Sequence, residues 1–234
     1  MLKISGTIVR HSVDGKDVSF FVFDPNDAIQ KHHMDGQFYE REELDLIAKF
    51  WRSDRAFLDI GSNVGNHAIF ASKFLGTPKI IVFECNPLAI DILRINLLLN
   101  KCDNVDTRFL GVAVGAADDL VRVVPDPFDN NLGGASVEID GQGDTVILSA
   151  DSVLVGESIG FVKIDVEGLE MEVLAGLSTT IRRWRPHMFI EVMEKNTEAF
   201  LAWVSSASYH VAGTIQRYPA VVNYVVLPGA AAQT

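Results

Sequence analysis

The sequence predicts an α/β protein whose core is a doubly wound, mostly parallel sheet with an antiparallel edge. Three apolar runs carry that prediction: residues 57–65, 80–84 and 161–168 each end in an acid or a glycine and lead into a helix-like pattern. Strand, turn and crossover helix in this order generate parallel pairing, because parallel neighbours need a long connection between them.

The elements follow in chain order. Polar and apolar residues alternate over residues 3–9 and 18–23 around Asp14-Gly15, which is a hairpin signature. Residues 40–51 place Leu44, Ile47, Ala48 and Trp51 at helical spacing. Residues 1–52 are therefore expected to form a small hairpin-and-helix element packed on a main domain of residues 53–228. In that domain, residues 56–60 read as the first core strand, 63–74 as its helix, 79–84 as the second strand and 87–99 as the second helix. Asn86-Pro87 supplies a cap followed by proline at the first helical position. Residues 107–114 read as the third strand. Glycine-, Asn- and Asp-rich turns separate short strands at 120–124, 136–139 and 145–148, an insertion expected beside the site. Residues 161–166 are the fourth strand, 169–182 a helix and 187–192 the fifth strand. Residues 209–215 and 221–227, joined by a brief turn at Tyr218-Pro219, suit an antiparallel pair at the sheet edge. The tail, residues 228–234, is expected to fray.

Composition narrows the function classes. A net charge of −11 over 234 residues makes a phosphate backbone a poor partner, and Arg182, Arg183 and Arg185, the only compact basic cluster, fit a helix C-terminus. Nucleic acid and membrane are not expected as partners: no apolar run approaches the roughly 18 residues of a span. The first twenty residues are broken by Arg10, His11, Asp14 and Lys16, unlike a signal peptide, so the cytoplasm is the expected compartment. Cys85 and Cys102 have neither CxxC spacing nor a His cluster, so no metal-ligand set is assigned.

The chemistry lies at the strand ends. Asp59-Ile60-Gly61-Ser62-Asn63-Val64-Gly65 passes from an apolar strand through two glycines into a helix, where exposed N–H groups suit an anionic group such as a carboxylate. A dinucleotide fingerprint wants glycine where Asn63 and His67 stand, and Asp59 would repel a pyrophosphate while favouring a ligand with an ammonium and a sulfonium. Glu84 closes the next strand about twenty residues on, where a carboxylate accepts ribose hydroxyls. Val112 and Ala113 lie where an adenine could rest against the backbone. Asp165 and Glu167 end the fourth strand and Glu191 closes the fifth; they either steer a proton from an acceptor hydroxyl or hold a divalent cation through oxygens. Glu170 and Glu172 fit a first helical turn. His67 is a candidate base, with His32 and His33 as less well-placed ones. Trp51, Trp184 and Trp203 read as core aromatics.

Residues 59–67, Phe83-Glu84-Cys85-Asn86-Pro87, Asn131-Leu132-Gly133-Gly134-Ala135-Ser136 and Lys163-Ile164-Asp165-Val166-Glu167-Gly168, followed by Arg185-Pro186 and Glu191, resemble the FkbM family of methyltransferases. The resemblance implies a class I methyltransferase fold, which is Rossmann-like, S-adenosylmethionine as donor, and O-methylation of sugars or natural-product hydroxyls. It also implies a cofactor loop of Asp59, Gly61, Asn63 and Gly65, a ribose held by Glu84 with Asn86 beside it, and an acceptor site edged by Asp165, Glu167 and Gly168. Phe38-Tyr39-Glu40 resembles a family segment that closes over the methionine end. Cys85 departs from the family's usual proline and is expected to loosen the turn after Glu84. A nicotinamide-dependent oxidoreductase and a non-catalytic nucleotide-binding module are the rival readings. The sheet edge and the hairpin leave a homo-oligomer open.

Overall fold

The computed structural model describes residues 4–52, 54–125, 131–139 and 141–229. In chain order the elements are β1 (Thr7–Val13), β2 (Lys16–Val22), α1 (Gln30–Met34), α2 (Arg41–Phe50), β3 (Ala56–Ile60), α3 (Asn66–Phe74), β4 (Ile80–Glu84), α4 (Pro87–Asn100) and β5 (Val105–Leu110). There follow β6 (Val112–Val114), β7 (Asp119–Val124), β8 (Ser136–Ile139), β9 (Thr145–Leu148), α5 (Ala150–Val153), β10 (Ile159–Ile164), α6 (Glu170–Gly176), α7 (Ser178–Trp184), β11 (His187–Met193), α8 (Thr197–Ser206), β12 (Tyr209–Tyr218) and β13 (Val221–Pro228). No helix among the described residues is long and apolar enough to cross a membrane.

Seven strands form the main sheet in the order β12-β13-β11-β10-β3-β4-β5. From β11 to β5 all neighbours are parallel, and β13 and β12 close the edge as an antiparallel pair. The winding reverses between β3 and β10, and the carboxyl ends of strands flanking such a reversal open a crevice. The expected doubly wound sheet is therefore present.

Strand alternation sorts the core into two layers. Leu58, Ile60, Val162 and Ile164 face α6, α7 and α8, whereas Phe57 and Phe161 face α2 and α3. Phe57 and Phe161 stack at 5.2 Å between centroids, each fully buried side chain contributing on the order of 2 kcal/mol. One residue up each strand's face, Lys163 pairs in register with Asp59.

The hairpin β1-β2 lies over α4. Asn96 accepts from the Phe21 amide (2.7 Å) and donates to the Val64 carbonyl (2.9 Å), while Asn100 accepts from the Ser19 amide and donates to its carbonyl. Two helix carboxamides thus satisfy backbone groups of β2 that would otherwise stay unpaired. With hairpin on one side and sheet on the other, α3 is buried from Asn66 through Ala71.

Several expectations change. The third strand is two: Gly111, at φ +95°, turns the chain out of the main sheet, so β5 stays there and β6 joins a second sheet ordered β6-β9-β7-β8. The expected insertion strands build that second sheet. The expected helix of residues 169–182 breaks at Leu177 into α6 and α7. Three helices, α1, α5 and α8, had no counterpart in the sequence reading. The helix of residues 63–74 starts only at Asn66, because Asn63 and Gly65 are left-handed. Of the tail, residues 230–234 lie outside the described residues. Arg182 and Arg183 do fall in the last turn of α7.

Candidate functional site

The loop from β3 to α3 holds three left-handed residues. Asn63 sits at φ +47°, a conformation Asn tolerates better than most side chains, and Gly65 at +91°. Gly61 is also left-handed, at +78°, and a Cβ there would meet the Asp165 carbonyl oxygen at 1.7 Å. Its missing side chain therefore lets β3 and β10 close on each other, and the Gly65 position is taken up by Leu93 of α4 at 2.6 Å. Both glycines serve chain–chain approach; Gly61 also lines both halves of the cleft around Glu84, where its backbone is open to a ligand as expected, whereas Gly65 does not.

Glu84, at the end of β4, is fixed by three amides. Its Oε2 accepts from Asn63 (2.7 Å), and its Oε1 accepts from Cys85 (2.9 Å) and Asn86 (2.7 Å). A carboxylate offers about four acceptor positions, so the spare one lies on Oε2. Burial pushes this carboxyl above the usual range, and the amides pull it back. Cys85 thus does not loosen the turn; it supplies an N–H that proline would lack. Asn86 also caps α4, accepting from the Leu88 amide at 3.1 Å.

Around Glu84 runs a cleft in two halves. The first is largely apolar, lined by Val112, Ala113, Leu132, Val137 and Leu169 together with Asn63 and Glu84. The second is acidic, lined by Glu40, Asp165, Glu167 and Glu191 with Asn63, His67 and Lys163. Asn63 stands between them, and its Oδ1 is buried with no hydrogen-bond partner among the described residues. Gly133 of the loop over the cleft brings its backbone against Asn63, where a Cβ would lie 2.5 Å from Nδ2.

Carboxylates gather in the acidic half. Oxygens of Asp165, Glu167 and Glu191 lie within 4.8 Å of one another. Burial first, then Asp165, Glu167 and Glu40, push Glu191 up to about 10. Beneath them Lys163 Nζ donates to the Gly61 carbonyl (2.7 Å) and to Asp165 (3.1 Å), with Asp59 at 3.6 Å. Burial pulls the Lys163 ammonium down, but Asp165 and Asp59 outweigh it and hold it charged.

Asp59 itself is fully buried and is not among the cleft-lining residues; it braces Lys163 from below, so the expectation that it faces a ligand is corrected. Gly65 likewise does not line the cleft. His33 is buried against Phe20, stacked at 4.0 Å, and bonds Asn66; burial drops it to about 4, and it lies outside the cleft. His67 does line it, and burial holds its imidazole neutral. Glu170 stands in the first turn of α6 as expected, accepting from the Gly168 amide at 2.7 Å.

Sequence reasoning missed Lys163, Glu43 and Asn66. Asn66 Oδ1 accepts from the Tyr39 amide (3.0 Å) and its Nδ2 donates to the Tyr39 carbonyl (3.0 Å), a two-point clamp that sets the 39–40 segment at the cleft. The motif segment Phe38-Tyr39-Glu40 signalled the covering strap but not its anchor.

A reversing parallel sheet with a ligand crevice at its switch point and an acid-closed second strand defines a Rossmann-like protein of the methyltransferase class. The chain belongs to the methyltransferase FkbM domain family, whose model matches residues 59–211. Over 146 residues it is 27% identical to the hexuronic acid methyltransferase AglP of Haloferax volcanii, a match covering 61% of this chain and 58% of that protein. In structure it is similar to a methyltransferase FkbM from Methylobacillus flagellatus KT (TM-score 0.53, 14% identity, 85% of this chain and 52% of that one). It is also similar to an rRNA methylase from Streptococcus thermophilus (TM-score 0.50, 12% identity, 80% of this chain and 95% of that one). The chain spans just over half the length of the first two, and the two structural likenesses speak to fold alone.

Proposed function

We propose that this protein transfers a methyl group from S-adenosylmethionine to a hydroxyl of a sugar or another small molecule. The observation that carries the reading is Glu84, a carboxylate of the apolar half-cleft pinned by three amides, one of them from Asn63, which lines both halves. Val112 and Ala113 would hold the adenine, Glu84 Oε2 would accept from a ribose hydroxyl, and the Asn63 Oδ1, unpartnered among the described residues, would accept from the methionine ammonium. Asp165 and Glu167, which line both halves, would set negative charge near the sulfonium, and the donor when bound would supply the methyl group.

The acceptor hydroxyl approaches the methyl in line from the acidic half, and much of the rate comes from that positioning. Asp165, held by Lys163, takes the hydroxyl proton as the oxygen–methyl bond forms and the sulfur–methyl bond breaks. Glu191 is protonated near neutral pH and donates a hydrogen bond to the acceptor, with Glu167 beside it. A pocket lined by carboxylates favours a neutral polyol over a phosphate-bearing acceptor, which argues against nucleic acid. The likeness to the hexuronic acid methyltransferase AglP supports a saccharide acceptor. A divalent cation at Asp165, Glu167 and Glu191 is compatible with this chemistry and is not required by it.

Calorimetry tests the reading: S-adenosylmethionine and S-adenosylhomocysteine should both bind, and Glu84→Gln should weaken each at least tenfold. Wild-type protein that binds neither, or binds NADH more tightly than either, overturns it.

A further inference from the structure

Beside the cleft, on the side away from Glu84, Glu40, Glu43 and His67 converge. Each offers a ligand atom, and all three atoms lie within 4.8 Å of one another. Glu40 and Glu43 come from the start of α2, and His67 is the second residue of α3.

Glu40 and Glu43 share a side-chain hydrogen bond, yet two polar atoms of the trio stay unpartnered among the described residues. His67 is 7% exposed and its Nε2 is shielded with no hydrogen-bond partner among the described residues; Glu43 is 1% exposed and its Oε1 has none there either. Arg217 comes no closer than 3.7 Å to Glu43 Oε1, too long for a hydrogen bond. Orphaned acceptors at this depth each cost on the order of 1–3 kcal/mol.

Helix capping does not account for the two glutamates. Glu40 is the N-cap of α2 in a left-handed conformation (φ +56°), yet its side chain makes no capping bond. Instead it lines the cleft together with His67. Lys163, the nearest buried cation, already serves Gly61, Asp165 and Asp59.

We propose that Glu40, Glu43 and His67 form a binding site for a first-row divalent transition metal such as Zn²⁺ or Mn²⁺, with its open coordination positions toward the acidic half of the cleft. One neutral imidazole with two carboxylates is a mixed nitrogen–oxygen set that suits these ions, whereas Mg²⁺ keeps to oxygen and water. Ligand atoms around one such ion lie roughly 3.4 Å apart, so a trio whose atoms lie within 4.8 Å of one another has little distance to close. The metal would fasten the 39–43 segment to the helix following the cofactor loop and offer a Lewis-acid face to an acceptor oxygen. The site stands apart from the methyl-transfer reading, since metal binding is measured with neither donor nor acceptor present.

Protein dialysed against EDTA and titrated calorimetrically with ZnCl₂ and with MnCl₂ should take up one equivalent of each. His67→Ala and Glu43→Gln should each weaken uptake at least tenfold, while Glu191→Gln leaves it within about twofold. No uptake, uptake unchanged in His67→Ala, or loss only in Glu191→Gln overturns the proposal; the last result moves the ion to Asp165, Glu167 and Glu191. Should His67→Ala fail to fold, Co²⁺-loaded wild-type protein must show a paramagnetically shifted imidazole proton by NMR, and a spectrum without one is equally decisive against the site.

Discussion

Lys163 is the residue on which the floor of the cleft turns. It is 2% exposed, in register with Asp59 across β3 and β10, and bonded to the loop carbonyl of Gly61. Removing one partner of a buried charge pair leaves the other uncompensated, at a cost of about 3–5 kcal/mol. Lys163→Met should lower unfolding free energy by that amount in urea titrations; a loss under about 1 kcal/mol would mean that Asp59 and Asp165 do not depend on it. Asp59→Asn added to Lys163→Met should restore part of the loss, because the stranded charge disappears.

At this scale the motif residues were legible and their supports were not. Glu84 closes an apolar strand ahead of Asn86-Pro87, and Asn63, Asp165 and Glu167 lie in glycine-bearing turns after apolar strands; these local patterns mark them without knowledge of the fold. Lys163 and Asp59 interact through cross-strand register, which no single segment encodes, so Asp59 read as a ligand contact when it is a buried counter-ion. The Cys85 amide was missed for a related reason: a backbone donor has no side-chain signature.

Among the elements, the strap of residues 38–43 shows what local contacts decide. Asn66 holds it through Tyr39 with two hydrogen bonds and takes a third contact from His33 at 3.1 Å. Asn66→Ala should cost about 1–3 kcal/mol and leave the Tyr39 amide unprotected. Hydrogen exchange at Tyr39 should then accelerate well beyond that of β3, and equal protection in mutant and wild type would show that the clamp is dispensable.

Elements marked by continuous apolar runs or by a cap were read correctly in β3, β4 and α4, while β10 runs two residues earlier than the expected 161–166. Those missed are short or weakly patterned. Helix α1 has five residues and α5 four, and α8 buries only Phe200 and Val204. The breaks in the third strand and in the helix after β10 were invisible because apolar spacing continues across them; Gly111 and Leu177 turn the chain for tertiary reasons.

Over the whole molecule, the acid-rich cleft couples charge to stability. A carboxyl whose folded value is raised contributes stability that is full below its unfolded value near 4.5 and lost as pH climbs to the folded one, about 10 for Glu191 and about 9 for Glu43. Buried His33 works oppositely, costing stability only as pH falls from 6.5 toward 4. Between pH 7 and 9 the carboxyls act without that opposition. The ligand-free melting temperature should therefore fall across this interval. Glu191 is faced there by Asp165, Glu167, Glu40 and Lys163, and Glu191→Gln should flatten the decline. A melting temperature that rises from pH 7 to 9 would contradict the raised carboxyls.

The second sheet departs from the main one at left-handed Gly111, and Gly176 of α6 packs where its outgoing and returning strands end side by side, an added Cβ meeting the Gly115 carbonyl at 2.0 Å and the Ser149 Cα at 3.4 Å. Exit and re-entry are thus two narrow joints, while the strands between them wall the apolar half-cleft. Grafting a foreign lobe between those joints would re-shape that wall while Glu84 and the β3–α3 loop stay in place, provided both seats keep residues without a side chain.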